Sequence, residues 1–139
     1  MLSTPREPRL GSSACTHGVR IQVAPRFLPE QSDTDNHQYI FAYHVSITNE
    51  TDAPVRLMSR RWLIVDSHGR SHEVRGDGVV GQQPRLLPGA THEYSSYCPL
   101  PTPWGTMEGE YLMRRDDGAT FQACIARFYL VAPRDDDHA

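Results

Sequence analysis

The chain has 139 residues, of which 38% are hydrophobic and 22% charged, and a formal net charge of −3. That length holds one domain with its own core and leaves no room for two ordinary ones. The charge balance excludes an overall basic field of the kind that attracts nucleic acid, and no apolar run approaches the length of a membrane span.

All 14 cationic side chains are arginine. Arginine suits planar, bidentate contacts with carboxylate or phosphate, although a GC-rich coding bias accounts for the same skew more simply. The three cysteines, Cys15, Cys98 and Cys124, show no C-x-x-C spacing, so neither a disulfide framework nor a zinc knuckle is expected. Cys124 lies in an apolar strand pattern and reads as a small core residue. Residues 1–6 lack the apolar stretch of a secretory signal. A reducing, cytoplasmic location is the expectation.

Residues 1–17 carry Pro5, Pro8, Gly11 and Ser12-Ser13 without periodicity and read as a flexible leader. From there the hydrophobic period is two, not 3.6. Val19, Ile21 and Val23 alternate with polar residues and predict a first strand. A polar loop over 29–36 follows. Tyr39, Phe41, Tyr43, Val45 and Ile47 then define a long strand with one apolar face, and His44 falls on the other. Residues 49–54 form a turn, and 55–66 a second long strand. Its apolar phase passes from odd positions (Val55, Leu57) to even ones (Trp62, Ile64), which predicts a bulge near residues 59–61.

A hairpin turn at 67–70 leads to a returning strand over 71–75. Residues 76–89 are a long connection rich in glycine and proline. Another strand is expected over 92–97, and a proline-broken segment over 99–105. Strands over 106–114 and 120–131 are joined by a turn at Asp116-Asp117-Gly118. Residues 133–139 read as a disordered acidic tail. Seven or eight strands and no capped helix define an all-β, antiparallel two-sheet sandwich over residues 18–132.

Several segments carry a family resemblance. Phe27-Leu-Pro-Glu-Gln-Ser-Asp33, Tyr39 to Asn49, Leu57 to Gly69, Glu73 to Pro84, Leu87-Pro-Gly89 and Thr102 to Tyr111, in that order, resemble the ApaG family. The resemblance spans about residues 19–131. Trp104 stands where a smaller aliphatic residue is expected. The resemblance implies a fibronectin type III or immunoglobulin-like sandwich. It also implies a domain associated in bacteria with diadenosine-tetraphosphate hydrolase and with cobalt and magnesium resistance. The domain recurs in eukaryotic F-box proteins and in a polymerase-associated protein, as an interaction module does. These are associations, and a fold does not fix a function.

Gly76, Gly78 and Gly81 spell G-x-G-x-x-G between Arg75 and Arg85. A dinucleotide fold requires a helix after such glycines, and Pro84 and Pro88 preclude one here. The segment reads first as a crossover needing positive φ. The alternative is an anion nest, with Gly76, Gly78 and Gly81 supplying N–H groups and Arg75 and Arg85 supplying charge, for weak pyrophosphate or nucleotide binding. Asp66, His68 and His72 around the hairpin turn suit a divalent metal only if their faces converge; otherwise they are a solvated hairpin.

Glu108 and Glu110 share a strand face, as solvent-facing residues do. There is no G-x-S-x-G elbow or recognisable Cys–His arrangement, and no cofactor motif. Tyr94, Tyr97, Trp104 and Met107 surround the proline-rich break, either as a contact surface or as plugs of the core. The expected function is a non-enzymatic binding module whose partner is another protein, met at an exposed sheet edge or at loop 76–89. An edge also offers a route to a homodimer.

Overall fold

In a computed structural model of the chain, residues 10–134 are described. Nine strands build the domain: β1 (Ser12–Thr16), β2 (Val19–Phe27), β3 (Tyr39–Asn49), β4 (Val55–Asp66), β5 (Ser71–Asp77), β6 (Arg85–Leu86), β7 (Thr91–Leu100), β8 (Trp104–Arg115) and β9 (Thr120–Val131). Two short 3-10 turns, Pro29–Gln31 and Thr34–Asn36, fall within the expected polar loop. No α-helix stands among the described residues, and none is long and apolar enough to cross a membrane.

The strands form two antiparallel sheets. The smaller runs β1-β2-β3-β7, and the larger β5-β4-β8-β9 with β6 beside β4. The sandwich expected from the period-two pattern is therefore the fold. The inner faces meet as Ile21, Phe41, Val45 and Ile47 against Leu57, Tyr111, Met113 and Phe128, each fully buried. Trp62 sits among Tyr43, Tyr111 and Phe128, with ring centroids 5.3, 6.3 and 5.8 Å away and edge-on geometry in each pair. Such pairs add about 0.5–1.5 kcal/mol each beyond the area they bury.

The bulge in β4 lies at Met58, one residue before the expected place. Leu57 faces Met113 and Ser59 faces Leu112, so Met58 has no partner on β8. A second irregularity falls in β9, where Met107 pairs with Phe128 and Gly109 with Ile125. It carries the buried set from Ala123 and Ile125 to Phe128 and Leu130, because one extra residue inverts strand parity.

Three expectations are corrected. Ser12–Thr16, placed in the leader, is strand β1, paired with β2 from Ser12↔Val23 to Thr16↔Val19. Hydroxyls hold it against β9: Ser12 Oγ donates to the Ala126 carbonyl at 2.7 Å, and Thr16 Oγ1 accepts the Cys124 N–H at 3.1 Å. The remainder of the expected leader, residues 1–9, and most of the acidic tail, 135–139, lie outside the described residues. Cys124 is exposed, not core, because the parity of β9 turns Ala123 and Ile125 inward. Finally, β7 continues through Pro99 to Leu100 and β8 already begins at Trp104. Pro99 is tolerated because β7 is an edge strand, where a missing N–H breaks no ladder on the open side.

Candidate functional site

The two sides of the sandwich differ. On one, β1 lies along β9, and the Tyr129 N–H donates to the Leu10 carbonyl at 2.8 Å. On the other, β7 ends the smaller sheet and β5 ends the larger, so among the described residues both present an unpaired edge. Between them opens a cleft of about 490 Å³. Tyr43, Trp62 and Met107 form its floor; Val74 and Leu100 form its apolar walls; Tyr97 stands at its mouth; Arg60, Arg70, Asp66 and His72 supply its polar rim. A mainly apolar concavity with a few polar groups is the usual form of a binding site.

The rim is positively biased. The Asp66 carboxylate is occupied, because its Oδ1 accepts the N–H groups of His68 at 2.9 Å and Arg70 at 3.1 Å. That Asx turn shapes the β4–β5 hairpin. Cys98, also in the wall, is buried, and burial pushes its thiol up to about 12. A thiol so protonated is no nucleophile near neutrality. Tyr97 stands 61% exposed at the mouth, on the outward parity of β7.

The glycine segment runs along the edge of β4 at the Met58 bulge. The Gly78 N–H and the Gln83 side-chain amide both donate to the Met58 carbonyl, at 2.9 Å each, and the Leu57 N–H donates to Pro84. Val79 and Gln82 exchange both of their backbone bonds across a turn through Val80 and Gly81, at φ of 47° and 78°. Gly76 has a packing reason instead, since a Cβ there would stand 2.7 Å from the Arg60 guanidinium. Arg60 Nη1 donates to the carbonyls of Asp77 and Gly78 at 3.1 and 2.9 Å. The N–H groups of Gly78, Val79 and Gln82 are thus spent on the fold.

Nor do Arg75 and Arg85 flank one point. Arg75 is opposite Arg61 and Arg85 is opposite Arg56, which separates them by about 17 Å along β4. Arg75 pairs with Glu73, and Arg85 with Asp116. Asp66, His68 and His72 do not converge either; no group of three or more His, Cys, Asp or Glu able to hold a metal stands among the described residues. Glu110 and Glu108 are solvent-face partners of Arg61 and Arg127. Met107 is buried in the core, whereas Tyr97 and Trp104 are exposed.

The cleft was not anticipated as a unit, because β3, β4, β5, β7 and β8 each contribute to it. Its one trace in the sequence is Tyr97, an aromatic on the polar parity of its strand.

Fold and cleft together define a β-sandwich with one side sealed and an apolar groove between two free edges. A family model for the ApaG domain matches residues 29–115. Protein ApaG of Bordetella pertussis is 52% identical over 118 residues, covering 85% of this chain and 90% of that protein. Protein ApaG of Anaeromyxobacter dehalogenans is 50% identical over 122 residues, covering 88% and 96%. A crystal structure of a putative ApaA protein from Bordetella pertussis superposes with a TM-score of 0.81 at 52% identity, covering 84% of this chain and 94% of that one. This chain belongs to the ApaG domain family.

Proposed function

We propose that the domain is a non-enzymatic interaction module that takes an extended segment of another protein along the free edge of β7. The observation that carries this reading is the apolar cleft between the unpaired edges of β7 and β5. An added strand gains main-chain hydrogen bonds from an edge and specificity from pockets beneath alternate side chains. Here the pocket is the space between Trp62, Val74 and Leu100, which fits one apolar side chain. Arg60 and Arg70 on the rim favour a carboxylate beside it.

The edge of β5 carries His72, Glu73, Arg75 and Asp77, and charges on an edge discourage its association with a like chain. Three free thiols, two of them exposed, fit a reducing compartment, and we place the protein in the cytoplasm.

The test is selection of peptides from a random display library against the intact chain, with Tyr97→Asp as a counter-target. Tyr97 is exposed, so the variant keeps its fold. The reading expects peptides with an apolar anchor flanked by an acidic residue, bound by the parent and weakened at least tenfold by the variant, about 1.4 kcal/mol. Peptides that bind both equally, or no enrichment at all, would contradict it.

A further inference from the structure

The outer face of the larger sheet carries a row of like charge at the end where β6 lies. Arg56 on β4 is directly opposite Arg85 on β6 and, on its other side, directly opposite Arg114 on β8. All three are exposed. Like charges facing each other across neighbouring strands destabilise a sheet, and here two such pairs share one residue. Arg115, next on β8, falls on the other parity, its guanidinium 4.8 Å over the Phe121 ring. These four arginines and Asp116 surround one depression of about 230 Å³.

Counter-charge there is scarce. Asp116 is held by Arg85 through Nε and Nη2, at 3.2 and 2.6 Å. Arg56 donates to the Gln83 carbonyl at 2.8 Å. Arg114 has neither a hydrogen-bond nor an ion-pair partner among the described residues. The three guanidinium groups of the outer face less one carboxylate leave a local charge of +2. Elsewhere on this face Arg61 is matched with Glu73 and Glu110, and Arg127 with Glu108. What sets the row apart is that its arginines face one another across two strand junctions.

We infer that this depression binds an oligophosphate group, a short chain of linked phosphoryl units. Guanidinium forks match phosphoryl oxygens in bidentate geometry. Two interstrand steps make the row about 10 Å long, longer than one phosphoryl group and matched by a short chain of them. A multivalent anion would relieve both repelling pairs at once, which one carboxylate cannot. The site is open to solvent, so binding is salt-sensitive.

Calorimetric titration of the full chain with inorganic tripolyphosphate, pyrophosphate and sulfate tests this. The expected order is tripolyphosphate, then pyrophosphate, then sulfate at least tenfold weaker, with binding lost as salt rises from about 20 to about 150 mM. The double variant Arg56→Gln, Arg114→Gln should lose at least tenfold in tripolyphosphate affinity. Freed of repulsion, it should unfold at a Tm no lower than the parent without ligand, which separates loss of the site from loss of the fold. Absence of tripolyphosphate binding at low salt, equal affinity for sulfate, or unchanged affinity in the double variant would overturn the inference. So would tighter binding of a short thymidine oligonucleotide than of tripolyphosphate. Tyr97→Asp, on the β7 edge at the mouth of the cleft, should leave all of these affinities unaltered.

Discussion

Tyr94 of β7 and Tyr111 of β8 join the two sheets through a hydrogen bond between their hydroxyl groups. Tyr111 is fully buried, and its ring packs edge-on to Trp62. Burial pushes the ionisation of both phenols up. Tyr111→Phe removes one partner and leaves the other hydroxyl in a half-buried site, at a cost of about 1–3 kcal/mol. The double variant Tyr94→Phe, Tyr111→Phe should recover most of that loss, since neither group is then orphaned. Urea unfolding of Tyr94→Phe, Tyr111→Phe and the double variant checks this; an additive double variant would contradict it.

Phe41 is fully buried on β3 between Phe27 on β2 and Cys98 on β7, with the Phe27 ring centroid 5.4 Å away. Phe41→Ala should cost about 3–5 kcal/mol through lost burial and the cavity left behind. An unchanged denaturant midpoint would show that the inner face of β3 is misassigned.

Gly109 lies beside the irregularity in β9, and a Cβ there would overlap the Arg61 carbonyl on β4. Gly109→Ala must push the β4 and β8 backbones apart, which should cost about 1–3 kcal/mol. Val80 presents the opposite case. It is β-branched, 65% exposed and held at φ 47°, a conformation that costs such residues about 1–2 kcal/mol. Val80→Asn or Val80→Gly should raise the thermal midpoint, and a fall would show that the turn is not as described.

The buried Cys98 gives a pH dependence of fixed sign. Its thiol is raised in the folded state to about 12, from about 8.5 in an unfolded chain. The unfolded state therefore loses its proton first as pH rises. The stability contributed by the neutral thiol is complete below about pH 8.5 and is lost progressively towards pH 12. Cys98→Ala should flatten the decline between about pH 8.5 and 10, before the phenols titrate. At neutral pH a thiol reagent should modify the exposed Cys15 and Cys124 and spare Cys98. Equal labelling of all three would contradict the burial of Cys98.

Much of the fold is legible in the sequence because its strands obey strict parity. Tyr39 to Ile47 announces β3, and the change of phase from Leu57 to Trp62 announces the bulge within a residue. Strand β1 is hidden because Ser12-Ser-Ala-Cys-Thr16 has no apolar alternation; its place is set by pairing with β2 and by two hydroxyls, not by burial. Cys124 misleads because the change of parity in β9 rests on one extra residue that composition does not reveal. The glycine motif shows its positive-φ requirement, at Gly78 and Gly81, but not that the Met58 carbonyl takes the Gly78 N–H. The cleft and the arginine row are unreadable for one reason. Both depend on cross-strand register between segments far apart in the chain, as with Arg56, Arg85 and Arg114.

The central claim is that the edge of β7 takes an extended protein segment. Amide hydrogen exchange of the full chain, with and without a display-selected peptide, tests it most directly. Strand addition predicts that outward-facing amides between Thr91 and Cys98 become protected on binding, with chemical-shift changes at Trp62 and Val74 beneath them. Protection confined to the 79–82 turn or to the outer face of the larger sheet, with the β7 amides unchanged, would contradict it.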